Sequence, residues 1–537
     1  MNRRNFLTGT ATVAALASLP RQALATPNAY LDKAQALVPA LRQTDQPPVR
    51  LVRPVADTAQ VLRFRMETEA PAAALEERLL GKGDSFILDF EGHRTGTIQF
   101  DLIGEGQGVD APVRLKLTFG EVPTDVAEPL RPYKGVLAEG WLPEEVITVD
   151  YLPQTVRLPR RYAFRYVKVE IFDTSNTFKV RFRNMKAVAI SSAGAPPPPL
   201  ASGDPLLDRI DAVSIVTLRD CMQTVFEDGP RRDQRLWIGD LRLQALTAYA
   251  SFGGHDLVKR CLYLFAAFPR PDGQMQACVY EKPMPQQGGI TILDYSALWN
   301  VTLADYLAAS GDRVTALDLW PVALRQVAFL SAHVRDGLFV DPGNQWLFID
   351  WAEKLDRTAA EQGVLIYAFT RTLELARALG REEDVSGLAS KVAAMKAAAR
   401  IALYDDKRGV YLSGAGRQLS WASQAWLVIA GVPRNRAEAA RALRTAMADP
   451  AAIRPVTPYL YHYMVEAMTV AGMQKEAMAL LKSYWGAMVE AGADSFWEVF
   501  DPANPLSSPY GDIHINSYCH AWSCTPAWFL RTGRLKP

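Results

Sequence analysis

The chain has 537 residues, more than one ordinary core accommodates, so two or more domains are expected. Apolar residues make up 49% and charged residues 22%, the balance of a globular protein in water, and a net charge of +1 points to neither nucleic acid nor an anionic membrane surface. No apolar run reaches the roughly 20 residues that a membrane-spanning helix needs.

The N-terminus reads as an export signal over residues 1–25. Arg3-Arg4-Asn5-Phe6-Leu7 has the form of a twin-arginine motif; an apolar stretch follows from Ala11 to Leu19, then the A-x-A site Ala23-Leu24-Ala25. This order predicts a mature chain starting near Thr26 and a periplasmic or secreted location. Residues 26–195 read as β. Val113-Arg-Leu-Lys-Leu-Thr-Phe119 and Phe178-Lys-Val-Arg-Phe182 alternate strictly, and Tyr166-Val-Lys-Val-Glu-Ile-Phe172 is β-branched and aromatic. Turns with Gly and Pro separate the runs, which predicts an antiparallel β-sandwich. Residues 196–204 open with Pro196–Pro199, a stiff linker too short to let the sandwich roam, so the sandwich is expected to dock on the domain beyond the linker.

From 205 to 537 the periodicity is helical. Twelve segments are predicted, near 205–223, 240–252, 255–267, 292–310, 313–332, 359–379, 382–404, 419–430, 435–447, 458–471, 473–489 and 516–531. After every even-numbered helix through the tenth the chain turns at a glycine placed as a left-handed cap: Gly253-Gly254, Gly311, Gly380, Gly431 and Gly472. After every odd-numbered helix through the eleventh the connection is long. Strict alternation of short and long links predicts six helical hairpins closed into an (α/α)6 barrel, with all long loops at one end.

The first long loop holds Asp228-Gly-Pro-Arg-Arg-Asp-Gln-Arg-Leu-Trp-Ile-Gly-Asp240. Carboxylates move protons, guanidinium groups hold them in a chosen ionisation state, and an indole stacks on the apolar face of a pyranose; a salt-bridge network fixing the loop is the plainer reading. Cleavage of a glycoside needs two carboxyl groups. The last long loop supplies the second in Ala493-Asp-Ser-Phe-Trp-Glu-Val-Phe500, where aromatics flank Glu498, and it leads to His520 and Trp522. Asp350-Trp351 sits in another long loop and Asp294-Tyr295 opens the fourth helix; both add residue types that contact sugars, although each alone also suits core packing. The motifs name neither cofactor nor metal: no Cys/His spacing resembles a zinc site. The five cysteines, an odd number, are expected to be mostly buried free thiols.

This collection resembles the inverting α-L-rhamnosidases of glycoside hydrolase family 78, which join β-sandwich domains to an (α/α)6 catalytic barrel. Asp228, Arg232, Trp237 and Asp240 fall on the family signature and Trp497-Glu498 on its distal pair. Leu88-Asp-Phe90, Thr118-Phe-Gly-Glu121 and Phe164-Arg-Tyr-Val167 match its sandwich portion. The resemblance implies Asp233 as general acid and Glu498 as general base. It implies a carbohydrate substrate bound by Asp228, Arg232, Trp237, Asp240 and Trp497, with Trp237 and Trp497 as apolar walls for a deoxy sugar. Asp294, Asp350, Trp351 and His520 are added as substrate-binding candidates from their residue types and positions near the same rim. One position departs from the pattern. The family acid is usually Glu, and Asp233 has one methylene less reach. Gln234, one residue later, cannot donate a proton as an acid, and the spacing to Trp237 and Asp240 favours Asp233. Two other readings stay open: a polysaccharide lyase or unsaturated-uronide hydrolase on the same barrel, with His462 or His520 as base, and a non-catalytic carbohydrate-binding protein. The sequence leaves the oligomeric state open.

Overall fold

The computed structural model describes residues 28–536; the export-signal residues 1–25 lie outside them. The first described element was not expected. Helix α1 (Ala29–Ala36) is capped by the Asn28 side chain and packs on the helical domain, where Arg260 donates to the Ala34 carbonyl at 2.5 Å and the Tyr30 hydroxyl to Asp318 O at 3.0 Å.

Nine strands follow: β1 (Arg42–Gln46), β2 (Arg50–Ala56), β3 (Phe64–Pro71), β4 (Ser85–Gly106), β5 (Val113–Gly120), β6 (Glu144–Val149), β7 (Gln154–Arg157), β8 (Tyr162–Asp173) and β9 (Phe178–Ser191). The five-residue helix α2 (Pro123–Ala127) lies between β5 and β6. All pairings are antiparallel, and the nine strands form one continuous sheet. The 22 residues of β4 make this possible. Its first part pairs with β2 and β8 and its second with β9 and β7, with a register break between Asp89 and Arg94. One apolar core takes residues from both parts, among them Leu88, Phe100, Leu117, Val167 and Phe182.

The helical domain runs through α3 (Pro205–Cys221), α4 (Ile238–Tyr249), α5 (His255–Ala266), α6 (Leu293–Ser310), α7 (Arg313–Ser331), α8 (Thr358–Leu379), α9 (Leu388–Leu403), α10 (Trp421–Ile429), α11 (Arg436–Ala448), α12 (Pro458–Val470), α13 (Gln474–Glu490) and α14 (Pro526–Arg531). Helices α4, α6, α8, α10 and α12 pack each on the next, and a 3-10 turn at Ala521–Ser523 touches both α12 and α4. α4 and α6 are buried along almost their whole length, whereas α9 buries only Leu388, Val392, Met395 and Ala399, the single stripe of a peripheral helix. The glycine turns take left-handed φ, from 50° at Gly254 to 82° at Gly253, which a residue with a Cβ adopts only at a cost.

Two predicted helices are shorter than expected. The segment 382–404 starts as a 3-10 turn (Glu382–Val385) and becomes α9 only after Gly387. The segment 516–531 is helical only at 521–523 and in α14, because its first part bonds across the molecule: His520 N donates to Phe496 O at 2.8 Å and Ala521 N to Asp228 O at 2.9 Å.

The two domains meet through a buried polar network. The register break in β4 turns His93 out of the sheet toward Asp220 (2.7 Å) at the end of α3 and Glu121 (3.0 Å) after β5. Arg231, from the first long loop, donates to Asp125 at 2.6 and 2.9 Å, to Glu121 at 3.3 Å and to His514 O at 2.7 Å. Burial would raise the Asp125 carboxyl, but the Arg231 guanidinium holds it down at about 2. Glu121 also accepts from Tyr518 N at 2.6 Å, and Arg161 grips Glu227 with 2.7 and 2.8 Å contacts. Breaking such a network strands buried charge. Arg231→Met should therefore destabilise the protein by about 3–5 kcal/mol in denaturant unfolding. A loss below about 1 kcal/mol would show that the domains do not depend on it.

Candidate active site

The first long loop closes on itself before it reaches α4. Asp228 N donates to Arg235 O at 2.9 Å, and Arg235 N returns a 3.1 Å bond to the Asp228 carboxylate. The tip so formed carries Arg231, Arg232 and Asp233, and a left-handed Gln234 (φ 52°) turns it back. Adjacent arginines diverge: Arg231 goes to the β domain, Arg232 to the pocket. A Cβ on Gly229 would come within 2.8 Å of Ser517 Oγ and 3.0 Å of Cys519 O, so glycine is what lets the loop lie flat on residues 517–520. Beyond the tip, Leu236 and Trp237 pair with Val279 and Cys278 of the second long loop, which fixes the indole. Asp240 sits in the first turn of α4.

The result is a pocket of about 380 Å³ lined by Asp228, Arg232, Asp233, Trp237, Asp240, Ile292, Tyr295, Trp346, Phe348, Trp351, Glu498, Tyr510, His520 and Trp522. Apart from Asp240 in α4 and Tyr295 in α6, these come from the first, second, third and last long connections, so the expected gathering of long loops at one end holds for four of the six.

Its electrostatics centre on Arg232. Nη2 lies 3.3 Å from both Glu498 oxygens and 3.0 Å from the Tyr510 hydroxyl, Nη1 donates to Ile515 O at 2.5 Å, and Nε stands 3.7 Å from Asp233. One guanidinium between both carboxylates limits their nearest oxygens to about 9 Å apart. Burial would raise the Glu498 carboxyl, but Arg232, His520, the Tyr510 hydroxyl and Ser517 N hold it below the usual range. Glu498 therefore stays ionised. Its side chain is 3% exposed, that of Asp233 20%. The deep carboxylate is fixed and charged; the other stands at the mouth. His520 bonds Asp240 at 2.9 Å; burial opposes its charge, yet Asp240 brings it to about 9. Burial pushes Asp228 well above its ordinary value. Four pocket donors have no partner among the described residues: Arg232 Nε, Trp237 Nε1, Trp351 Nε1 and His520 Nδ1. Buried donors in that state call for a polar ligand or water.

Three residues expected to touch substrate do not line the pocket. Asp294 accepts from Phe348 N at 2.9 Å and Ile349 N at 3.0 Å; Asp350 accepts from Ala352 N at 3.1 Å, Val456 N at 3.0 Å and the Thr457 hydroxyl. Burial raises both carboxyls to about 6. They shape the 346–351 loop, which presents Trp346, Phe348 and Trp351 and strains Ile349 to a φ of 53°. Trp497 points away and packs on Phe500 and Tyr518. The apolar walls are instead Trp237, Tyr295, Trp346, Phe348, Trp351 and Trp522, with Phe348 stacked on Trp522 at 5.8 Å. Gln234 is outside the pocket, its amide on Pro230 O at 2.9 Å, so Asp233 alone of the two registers faces it. His462 is likewise outside, buried against Glu466, Trp528 and Phe529. Sequence reasoning did not place Ile292, Tyr295, Trp346, Phe348, Tyr510 or Trp522 among the site residues. Tyr510 sits in Ser508-Pro-Tyr-Gly-Asp512, an ordinary turn by composition; membership of the last long loop was the only available signal. All five cysteines are buried and free.

Two carboxyl groups held by one arginine inside an aromatic pocket are the groups that glycoside cleavage needs. Residues 48–189 match the glycosyl hydrolase family 78 alpha-rhamnosidase N-terminal domain, and residues 199–532 match the bacterial alpha-L-rhamnosidase 6 hairpin glycosidase domain. A rhamnosidase from Klebsiella oxytoca, solved with rhamnose bound, is 45% identical, superposes with a TM-score of 0.91 and aligns over 94% of this chain and 99% of its own. The family 78 rhamnosidase of Bacillus sp. GL1 shares the fold at 21% identity and a TM-score of 0.71, over 87% of this chain and 49% of its own. That of Streptomyces avermitilis, complexed with L-rhamnose, does so at 16% and 0.65, over 92% and 44%. No curated protein matches the chain. The chain belongs to glycoside hydrolase family 78 and is a glycoside hydrolase.

Tyr510→Phe removes a hydrogen bond to ionised Glu498 without opening a cavity. The acid limb of the kcat/KM–pH profile should move up by about one unit, since that bond favours the charged form. An unmoved limb would show that Tyr510 does not tune Glu498.

Proposed function

We propose that the protein is an exo-acting, inverting hydrolase that releases terminal α-L-rhamnose, working on an (α/α)6 barrel in the periplasm or outside the cell. The observation that carries the chemistry is Arg232 set between a buried, ionised Glu498 and a more exposed Asp233. The family and the rhamnose in the Klebsiella relative support the sugar. A small pocket walled by six aromatic side chains supports exo action and suits a methyl-bearing face. The barrel is supported by the helix order and by the six-hairpin domain matched over 199–532, and export by the sequence of residues 1–25.

In the reaction, water held by Glu498 attacks the anomeric carbon as the glycosidic C–O bond breaks. Glu498 takes the water proton, Asp233 gives its own to the departing oxygen, and the sugar leaves with its anomeric configuration inverted. Arg232 keeps Glu498 charged before the step. His520, charged beside Asp240, and the free indole N–H groups suit sugar hydroxyls.

Aryl α-L-rhamnosides should be cleaved far better than the corresponding mannosides, whose extra hydroxyl would be buried unpaired. Proton NMR should show β-L-rhamnose as first product, and Glu498→Gln should lower kcat by several orders of magnitude with the fold intact. α-L-Rhamnose as first product would refute inversion, and ultraviolet-absorbing unsaturated products would indicate a lyase.

A further inference from the structure

Asp233 and Arg232 are shared between the aromatic pocket and a second, larger groove of about 1120 Å³ at the seam between the two domains. Its other walls include Arg160, Arg161 and Trp141 from the β domain and Arg235, Tyr280 and Lys282 from the helical domain. If Asp233 protonates the leaving oxygen, whatever leaves passes into this groove.

The groove is cationic, and its charges are unevenly committed. Arg161 is neutralised by Glu227 at 2.7 Å and Arg160 pairs with Glu145 at 2.9 Å, while Glu281, the one acid besides Asp233 on the wall, is taken up by Arg260 and Thr224. That leaves Arg235 and exposed Lys282. Arg235 has only a distant carboxylate contact, 3.9 Å to Asp233. Its guanidinium lies 4.2 Å from the centre of the Tyr280 ring and 5.9 Å from that of Trp141, so two aromatic faces hold its plane while a quarter of the side chain stays exposed. Arg161 Nε is buried without a partner on the same wall. A planar fork fixed in advance loses little freedom on meeting an anion, which is how carboxylates and sulfates are recognised.

The geometry points to a leaving-group subsite for an anionic sugar: the unit to which the rhamnose is attached carries a carboxylate, as in a uronate, or a sulfate, received by Arg235 and Lys282. This rests on the rhamnosidase reading above.

The test compares kcat/KM on three disaccharides with rhamnose α-linked to glucose, to glucuronate and to glucose 6-sulfate, alongside an aryl α-L-rhamnoside as reference. Wild-type enzyme should prefer at least one anionic disaccharide over the neutral one by about tenfold or more, and the preferred one identifies the anion. In Arg235→Gln and in Lys282→Gln the anionic-to-neutral ratio should fall by about threefold or more each. Taking the ratio within each variant cancels any general loss that Arg235 causes through Asp233. The preference should also shrink between low and high salt. Equal turnover of all three disaccharides, or a preference that survives both substitutions, would overturn the subsite while aryl rhamnoside cleavage leaves the rhamnosidase reading intact. Failure to cleave the aryl rhamnoside as well would sink that reading itself.

Discussion

The contact on which the site depends is that of the Arg232 guanidinium with Glu498. A carboxylate as buried as Glu498 tends to keep its proton, whereas the proposed activation of water needs it ionised. Arg232 reverses that tendency, helped by His520 and the Tyr510 hydroxyl. The same side chain is anchored by Ile515 O and lies 4.3 Å from the centre of the Tyr510 ring, so it acts as a rigid bridge between the first and last long loops. Removing it would take away the largest of the influences that keep Glu498 ionised and the tie between the two loops.

Its neighbour Arg231 explains why a β domain accompanies the helical one. The two arginines share one turn and face opposite ways, and the position of Arg232 is only as fixed as that of Arg231. Asp125 and Glu121 hold Arg231 from the β side, His93 backs Glu121, and Glu121 also accepts from Tyr518 N in the last long loop. The β domain thus clamps both catalytic loops without lining the aromatic pocket. It does line the cationic groove, through Trp141, Arg160 and Arg161. Support of the site loops and the proposed reception of the leaving group would fall to the same face.

Much of this was legible in the sequence because it rests on local chemistry. Glycine after alternate helices marks left-handed caps wherever they fall, and the dense charge of 228–240 announces itself. Two β motifs that looked merely similar in sequence, around Asp89 and Glu121, gain a physical role: Asp89 binds Arg50 and Arg165, and Glu121 joins the domains. What stayed hidden is direction. Asp294, in the first turn of α6, and Asp350, in a long loop, are acidic residues next to aromatics, as a sugar-binding carboxylate would be, yet backbone N–H groups claim them. Trp497 adjoins Glu498 in sequence, yet it packs on Phe500 and Tyr518 while Glu498 faces Arg232. Tyr510 becomes functional only when a turn without distinctive composition folds over Arg232. Residue type places a group in a loop, whereas the hydrogen bonds that turn it toward or away from the pocket come from segments far along the chain.

The division of labour between the two carboxyl groups is the central claim, and leaving-group dependence tests it most directly. In Asp233→Asn, aryl rhamnosides with a good leaving group such as 2,4-dinitrophenolate should keep much of their turnover, because they depart without a proton. Poor leaving groups should lose about 10²–10⁴-fold. In Glu498→Gln the loss should be large and nearly the same for all, since every one of them needs the attacking water. The reverse pattern, or equal losses across leaving groups in Asp233→Asn, would contradict the assignment of Asp233 as the acid and Glu498 as the base.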